Sequence, residues 1–322
     1  MHLTFLGTSA GVPTRSRNVT ALALHPLAER KGWLLIDCGE GTQHQLLRSG
    51  LALGPLTAIC ITHQHGDHVL GLPGLLSTLS MNKRTAPLTL IAPQATLDWV
   101  AHSLTLTDSF LSFDLHTTAC ESVGDTPLPL LHGSVSLRLY PLSHRVPCWA
   151  YRIEATAKTV RLDQDRLQAD GLPPGPDWGA LKRGETVQYQ GRSYRPQDYQ
   201  LAPPPALAVV VGGDNDQPDL LTEAVQGAQL LVHEATYTQA IADRVGPAPM
   251  HTAARQLGEF AQRAGVPALI ATHLSSRYAP LGAGPGDAGE LLEEIRTVYT
   301  GPLWLAEDFA GFRVSAQGVT PA

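Results

Sequence analysis

Ala58-Ile59-Cys60-Ile61-Thr62-His63-Gln64-His65-Gly66-Asp67-His68 is the stretch on which the reading of this chain turns. An apolar, β-branched run of the kind that fills a buried strand ends at Thr62. Four potential metal donors follow within six residues. His63 and His65, two apart in an extended loop, can point at one cation, while Asp67 and His68 turn toward a second as a helix begins. Imidazole and carboxylate at this density suit Zn²⁺ or a similar borderline cation. The bland alternative is a polar turn with unrelated histidines, and four donors this close together argue against it.

Outward from this run, short apolar segments alternate with helical patterns, which predicts an α/β fold. Strands are expected at Leu3–Leu6, Val19–Leu24, Trp33–Cys38, Ala58–Thr62, Leu88–Ile91, Val135–Leu142 and Trp149–Ile153. Later ones fall at Leu207–Val211, Gln229–His233, Ala268–Thr272, Leu303–Ala306 and Gly311–Val314. Helices are expected at Leu70–Ser80, Leu97–Leu104, Pro218–Gln226 and Asp287–Tyr299. In His251–Ala264, the residues Ala253, Ala254, Leu257, Phe260, Ala261 and Ala264 make one apolar stripe, the spacing of a helix lying on a sheet.

Three more donors stand just past predicted strands: His144, Asp214 and His273. Sites in α/β sheets collect at the carboxyl ends of strands, so these join His63, His65, Asp67 and His68. Seven donors are enough for two cations that share Asp214. Such a pair, about 3.5–4 Å apart, can clamp a phosphoryl group.

Composition narrows the class. The chain has 322 residues, 43% hydrophobic and 16% charged, with a net charge of −6. That is a globular balance, and the length accommodates one large α/β domain. No apolar run approaches the roughly 18–20 residues of a membrane span, and no signal peptide is expected at the N-terminus. Cysteines at 38, 60, 120 and 148 lack C-x-x-C spacing, as suits reduced thiols in a cytoplasmic protein. The acidic balance argues at first against nucleic acid. It is unevenly placed, however: Arg15, Arg17, Arg30 and Lys31 oppose only Glu29 within the first 31 residues. Between about residues 158 and 205 the periodicity fails around Gly171–Pro176, the Lys182-Arg183-Gly184 turn and Pro203-Pro204-Pro205. This segment is either a long surface loop or an inserted arm that handles a partner.

These residues resemble the metallo-β-lactamase superfamily and, more narrowly, the short form of ribonuclease Z (tRNase Z). The resemblance covers nearly the whole chain. It begins at Phe5-Leu-Gly-Thr-Ser-Ala-Gly11 and Asp37-Cys-Gly-Glu-Gly-Thr-Gln43, and it continues through the His63–His68 run and Gly71-Leu-Pro-Gly74 to Asp308-Phe309. More specific to that branch are Pro13-Thr-Arg-Ser-Arg-Asn18, the Gly171–Pro176 arm, His233-Glu-Ala-Thr-Tyr237, His251-Thr252 and Thr272-His-Leu-Ser-Ser-Arg-Tyr278.

The resemblance implies a single αββα sandwich over residues 1–322 with an inserted flexible arm at 158–205, an exosite candidate for tRNA. It implies two Zn²⁺ per subunit, with Mn²⁺ as the alternative cation. His63, His65 and His144 would hold one, Asp67, His68 and His273 the other, and Asp214 would bridge. Asp67 would also orient the attacking water. Glu234 and His251 would form a dyad that protonates the leaving 3′-oxygen, a carboxylate beside an imidazole raising its pKa. Asp37 would support the metal loop by hydrogen bonding. Arg15, Arg17, Asn18, Lys182 and Arg183 would meet the RNA. The expected activity is removal of the 3′ trailer from precursor tRNA by metal-activated hydroxide, leaving a 3′-hydroxyl, in a homodimer. A phosphodiesterase or sulfatase for small substrates and a non-catalytic RNA-binding protein are the competing readings. Three departures stand out: Asn215 follows the bridging Asp where the family has Thr, Arg15 stands where it has Lys, and the arm is less basic than a tRNA clamp would be, with eight Lys/Arg against seven Asp/Glu from Tyr151 to Gln200.

Overall fold

The computed structural model describes residues 1–26, 32–155, 160–202 and 205–322. Arg30 and Lys31 of the basic N-terminal cluster, Lys158 at the arm's start and Pro203-Pro204 near its end lie outside the described residues. The chain divides into two compact units, Met1–Ala155 with Leu207–Ala322, and Thr156–Ala206.

The larger unit is built from strands buried on both faces. In Trp33–Ile36, Leu34 and Ile36 point into one apolar cluster, while Trp33 and Leu35 point into another. In Leu207–Val211, Val209 and Val211 share that first cluster, whereas Ala208 and Val210 face a third. This period of two, applied to every central strand, makes four layers. Two sheets meet across a common core, and helices cover each outer face. Each fully buried Leu, Ile or Val contributes roughly 1.5–3 kcal/mol, so the inter-sheet core is the main source of stability.

One sheet has eight strands in the order Gly318–Pro321, Gly311–Ser315, His2–Gly7, Ala21–His25, Trp33–Ile36, Leu56–Cys60, Leu88–Ala92, Leu115–Ala119. The other has seven: Leu303–Leu305, Leu269–Thr272, Leu230–Glu234, Leu207–Val211, Cys148–Ala155, Val135–Leu142, Leu128–Leu130. Trp33–Ile36, Leu56–Cys60, Leu88–Ala92 and Leu115–Ala119 run parallel. So do Leu207–Val211, Leu230–Glu234, Leu269–Thr272 and Leu303–Leu305. Parallel strands end together, so each sheet delivers several loops to one edge.

The predicted stripe at His251–Ala264 forms the helix Ala254–Arg263, buried through Ala254, Leu257, Gly258, Phe260 and Ala261. It lies against the helix Gly289–Arg296, and a Cβ at Gly258 would stand 2.6 Å from Val298 Cγ2 and 3.0 Å from Ile295 O. One expectation fails. Pro218–Gln226 is not an α-helix but a 3₁₀ turn at Pro218–Leu221 followed by further turns. Leu221, Ala224, Val225 and Ala228 are buried as a helical stripe would have them. The chain tightens here into i→i+3 turns, Leu220 N donating to Gln217 O and Thr222 N to Asp219 O, and it closes on Gly227 at φ 66°. Unannounced by any apolar stripe is the helix Thr42–Ser49, entered and left through left-handed glycines at 41 and 50.

The smaller unit has its own secondary structure. It holds the helices Gln164–Ala169, Pro176–Lys182 and Pro196–Tyr199, and a hairpin of Val187–Tyr189 with Arg192–Tyr194. Leu162, Leu167, Leu172, Leu181, Val187, Tyr194 and Tyr199 pack into a separate apolar cluster. The core draws on single apolar residues scattered among polar ones, which is why no periodicity announced it.

Candidate metal centre and active site

Each candidate donor stands just beyond a strand's carboxyl end. Leu56–Cys60 leads to His63, His65, Asp67 and His68. Val135–Leu142 leads to His144, Leu207–Val211 to Asp214, and Leu269–Thr272 to His273. Folding draws these seven into two groups, one of His63, His65, His144 and Asp214, the other of Asp67, His68 and His273.

Asp214 faces both. Its Oδ2 lies 3.6 Å from His63 Nε2 and 3.7 Å from His144 Nε2. Its Oδ1 lies 3.4 Å from Nε2 of both His68 and His273. Within the first group His65 Nδ1 is 3.0 Å from His63 Nε2 and 3.1 Å from His144 Nε2. In the second, Asp67 Oδ2 is 3.5 Å from His68 Nε2 and 3.3 Å from His273 Nε2. Tetrahedral bonds of about 2.0–2.1 Å to a zinc-sized cation place neighbouring donors roughly 3.3–3.4 Å apart. The donor set therefore fits a pair of such cations in both chemistry and spacing.

Outer hydrogen bonds fix which ring nitrogen is offered. Asp37 accepts from Thr62 N at 2.7 Å, from the Thr62 hydroxyl at 2.9 Å and from His68 Nδ1 at 2.7 Å. Because Thr62 spends its proton on Asp37, its oxygen accepts from His63 Nδ1 at 3.1 Å. Thr236 donates to Glu234, so its oxygen accepts from His273 Nδ1 at 3.1 Å. His144 Nδ1 donates to Met250 O at 3.1 Å. Four rings thus keep Nε2 unprotonated toward the centre. Thr62, Thr236 and the Met250 carbonyl were not singled out from sequence, although both threonines lie inside the quoted motifs. Asp37, Met250 and His273 carry positive φ of 58°, 57° and 56°, conformations that non-glycine residues adopt only when their surroundings enforce them.

Electrostatics favour neutral rings in the first group, whereas the carboxylates around His68 favour its charged form, whose Nε2 proton a bound cation would displace. Burial and the neighbouring imidazoles push the His63 pKa well down, and burial lowers those of His65 and His144. Burial opposes ionisation of Asp67, yet His68 and His273 hold its carboxyl far below the usual range. Burial likewise opposes the charged form of His68, but Asp214, Asp37 and Asp67 outweigh it and raise its pKa.

Beside the cluster, His251 Nδ1 contacts Glu234 and lies 3.8 Å from Asp214 Oδ2. Asn215 donates its backbone N–H to Glu234 Oε1 at 2.7 Å, and its side-chain oxygen takes the Ser143 N–H at 3.2 Å. The residue that departs from the family pattern therefore braces the loop carrying His144.

The residues assigned to RNA divide. Arg15 and Lys182 are exposed. Arg17 is buried at 6% exposure, donating to the carbonyls of Ser275 and Tyr278, which makes it a brace for that loop. Asn18 donates to Glu40 O at 2.8 Å. Arg183, in the smaller unit, pairs with Glu185 at 2.7 Å.

Two facing sheets with helices outside, and paired His/Asp donors at their loop edge, define a metallo-β-lactamase fold, and residues 15–140 match the metallo-beta-lactamase superfamily. The chain is 46% identical to a ribonuclease Z of Pseudomonas putida over 99% of this chain and 98% of that one. It is 41% identical to a ribonuclease BN of Escherichia coli over 98% and 100%. The crystal structure of human tRNase Z, short form, superposes with a TM-score of 0.64 at 24% identity, over 98% of this chain and 100% of that one. The chain belongs to the ribonuclease Z family.

Proposed function

We infer that this protein is an endoribonuclease that removes the 3′ trailer from precursor tRNA, using two Zn²⁺ per subunit, with Mn²⁺ as the alternative. The observation that carries the reading is the division of Asp214 between two complete donor groups, in a chain 46% identical to a ribonuclease Z over almost its full length. His63, His65 and His144 would hold one cation, and Asp67, His68 and His273 the other. When bound, such a pair lowers the pKa of water and neutralises phosphoryl charge.

The chain's own groups do the rest. Asp67 Oδ2 is held by the Gly11 N–H at 2.7 Å, which keeps the carboxylate oriented toward the attacking water. His251, kept protonated by Glu234, gives its proton to the departing 3′-oxygen. In-line attack by water needs no 2′-hydroxyl and leaves a 3′-hydroxyl on the tRNA. Arg15 and Arg48 line a cavity of about 260 Å³ with Thr14 and Ser16, and the one carboxylate there among the described residues, Asp308, is taken up by Asn18 N, Gln45 Nε2 and the Thr8 hydroxyl, so the two guanidinium groups can meet phosphates. Lys182 and Arg183 of the arm would grip the tRNA body by shape.

The working unit is a homodimer, on family likeness. No described helix is long and apolar enough to cross a membrane, and the four cysteines are free and buried. Those thiols support a cytoplasmic location. The deciding experiment is cleavage of a trailer-bearing precursor tRNA, abolished by chelation and restored by zinc or manganese. A protein loaded with two zincs that leaves this RNA intact overturns the reading.

A further inference from the structure

A cavity of about 470 Å³ borders His251 and extends past Tyr237 and Met250 to Asp216, Asp243 and Gln256. We propose that this cavity receives the nucleobase of the nucleotide on the 5′ side of the scissile phosphate, stacking it beside Tyr237 and reading its donor edge through Asp216. The proposal rests on the nuclease reading and adds to it a binding site for one particular nucleotide.

The assignment follows from where the broken bond lies. Hydrolysis that leaves a 3′-hydroxyl moves the P–O3′ electron pair onto the 5′-side nucleotide, and the phosphate stays with the trailer. The group that protonates O3′ must stand within hydrogen-bond reach of that nucleotide's ribose. His251 is that group, so the attached base lies within one nucleoside length of it. The cavity begins there.

The chemistry of the walls selects a base over a phosphate. Two carboxylates, Asp216 and Asp243, line the cavity, and among the described residues no Lys or Arg does. Backbone phosphates are therefore repelled, while amino and imino donors of a base are accepted. Asp216 is half-buried and lines the cavity, and its Oδ1 is shut off from solvent with no hydrogen-bond partner among the described residues. A base donor meets the carboxylate from its cavity side, where the partly desolvated charge attracts it more strongly than it would in water. The backbone holds it in place: Asp216 N donates to Ser143 O at 3.1 Å, and its carbonyl takes Gln256 Nε2 at 2.8 Å. Tyr237 is half-buried, its ring 6.1 Å from that of His251 at 75°. It offers the aromatic face on which unpaired RNA bases stack.

Four precursor tRNAs test this, identical except at the nucleotide 5′ to the cleavage site: adenosine, purine riboside without the amino group, an abasic residue, and adenosine with the abasic residue moved one position 3′. Wild-type protein should lose roughly five- to 150-fold in kcat/KM on the abasic precursor. It should lose less on the purine riboside, and little when the gap lies on the 3′ side. Tyr237→Leu should erase most of the abasic penalty, and Asp216→Asn should erase the amino-group preference. Equal rates on adenosine and abasic precursors overturn the pocket but leave the nuclease reading intact. No cleavage of any precursor by metal-loaded protein overturns both. Should Tyr237→Leu fail to fold, 2-aminopurine at the same nucleotide, bound to the Asp67→Ala protein, reads the contact directly. Quenched emission supports stacking, and unchanged emission rules it out.

Discussion

Both carboxylate oxygens of Glu234 stand 3.0 Å from Nδ1 of His251. Glu234 is buried at 2% exposure, so its charge acts on the imidazole with little solvent screening. Burial alone would lower the His251 pKa, but the Glu234 charge outweighs it and the value rises to about 9. Burial would raise the Glu234 pKa, and His251 brings it down to about 2.

Glu234→Gln should therefore shift the alkaline limb of kcat to lower pH. The sign is direct: losing the negative partner destabilises the imidazolium, which then sheds its proton earlier as pH rises. At neutral pH kcat should fall about 10²–10⁴-fold, the range of a general acid. A pH–rate profile that merely scales down, with its limb unmoved, contradicts the role given to His251.

Asp37→Asn should weaken metal binding about 10–100-fold. Three donors, Thr62 N, Thr62 Oγ1 and His68 Nδ1, converge on its two oxygens. Asparagine has one acceptor oxygen, so its amide must face one of those donors. It tolerates the φ of 58°, so the backbone is not the cause of any loss. Competition with a chelator, read by elemental analysis, measures the change.

Gly258→Ala should cost about 1–3 kcal/mol through overpacking against Val298 and Ile295. For a chain of this size the melting temperature should drop by several degrees. Calorimetry on the metal-loaded protein checks it, and activity per folded molecule should be unchanged.

His2 and His25 form a separate pH-sensitive pair. Burial, then Arg313, lowers the His2 pKa, and burial, then His2, lowers that of His25. Nδ1 of His25 is buried without a partner among the described residues, as befits a neutral ring. With folded pKa values below 6.5, the unfolded chain binds more protons in acid. The stability is thus complete above pH 6.5 and declines as pH falls below it. The double variant His2→Gln, His25→Gln should flatten the fall in melting temperature between pH 7.5 and 5.5. Parallel curves for the two proteins would remove the pair from the account.

The sandwich and the donor set could be read in sequence because each depends on local rules. Strands buried on both faces read as apolar runs, as at Leu207–Val211. Ligands fall just beyond strand ends, as Asp214 and His273 do. The smaller unit was opaque because its cluster draws single residues, such as Leu162, Leu181 and Tyr199, from polar surroundings. Pro218–Leu221 misled because a buried stripe of i, i+3, i+4 residues suits tightened turns as well as an α-helix.

Sequence alone determined which side chains could bind metal and on which strands they would stand, since strand periodicity and residue chemistry are local properties. Tertiary structure decided the rest. It turned Asp214 to face both donor groups and fixed the ring tautomers through Thr62, Thr236 and Met250. It withdrew Arg17 to brace the loop carrying Ser275 and Tyr278, and beside a cavity at His251 it left Oδ1 of Asp216 without a partner among the described residues. The physical reason is that hydrogen-bond partners and desolvation depend on groups far apart in the chain, and only the packed fold brings those groups within a few ångströms of one another.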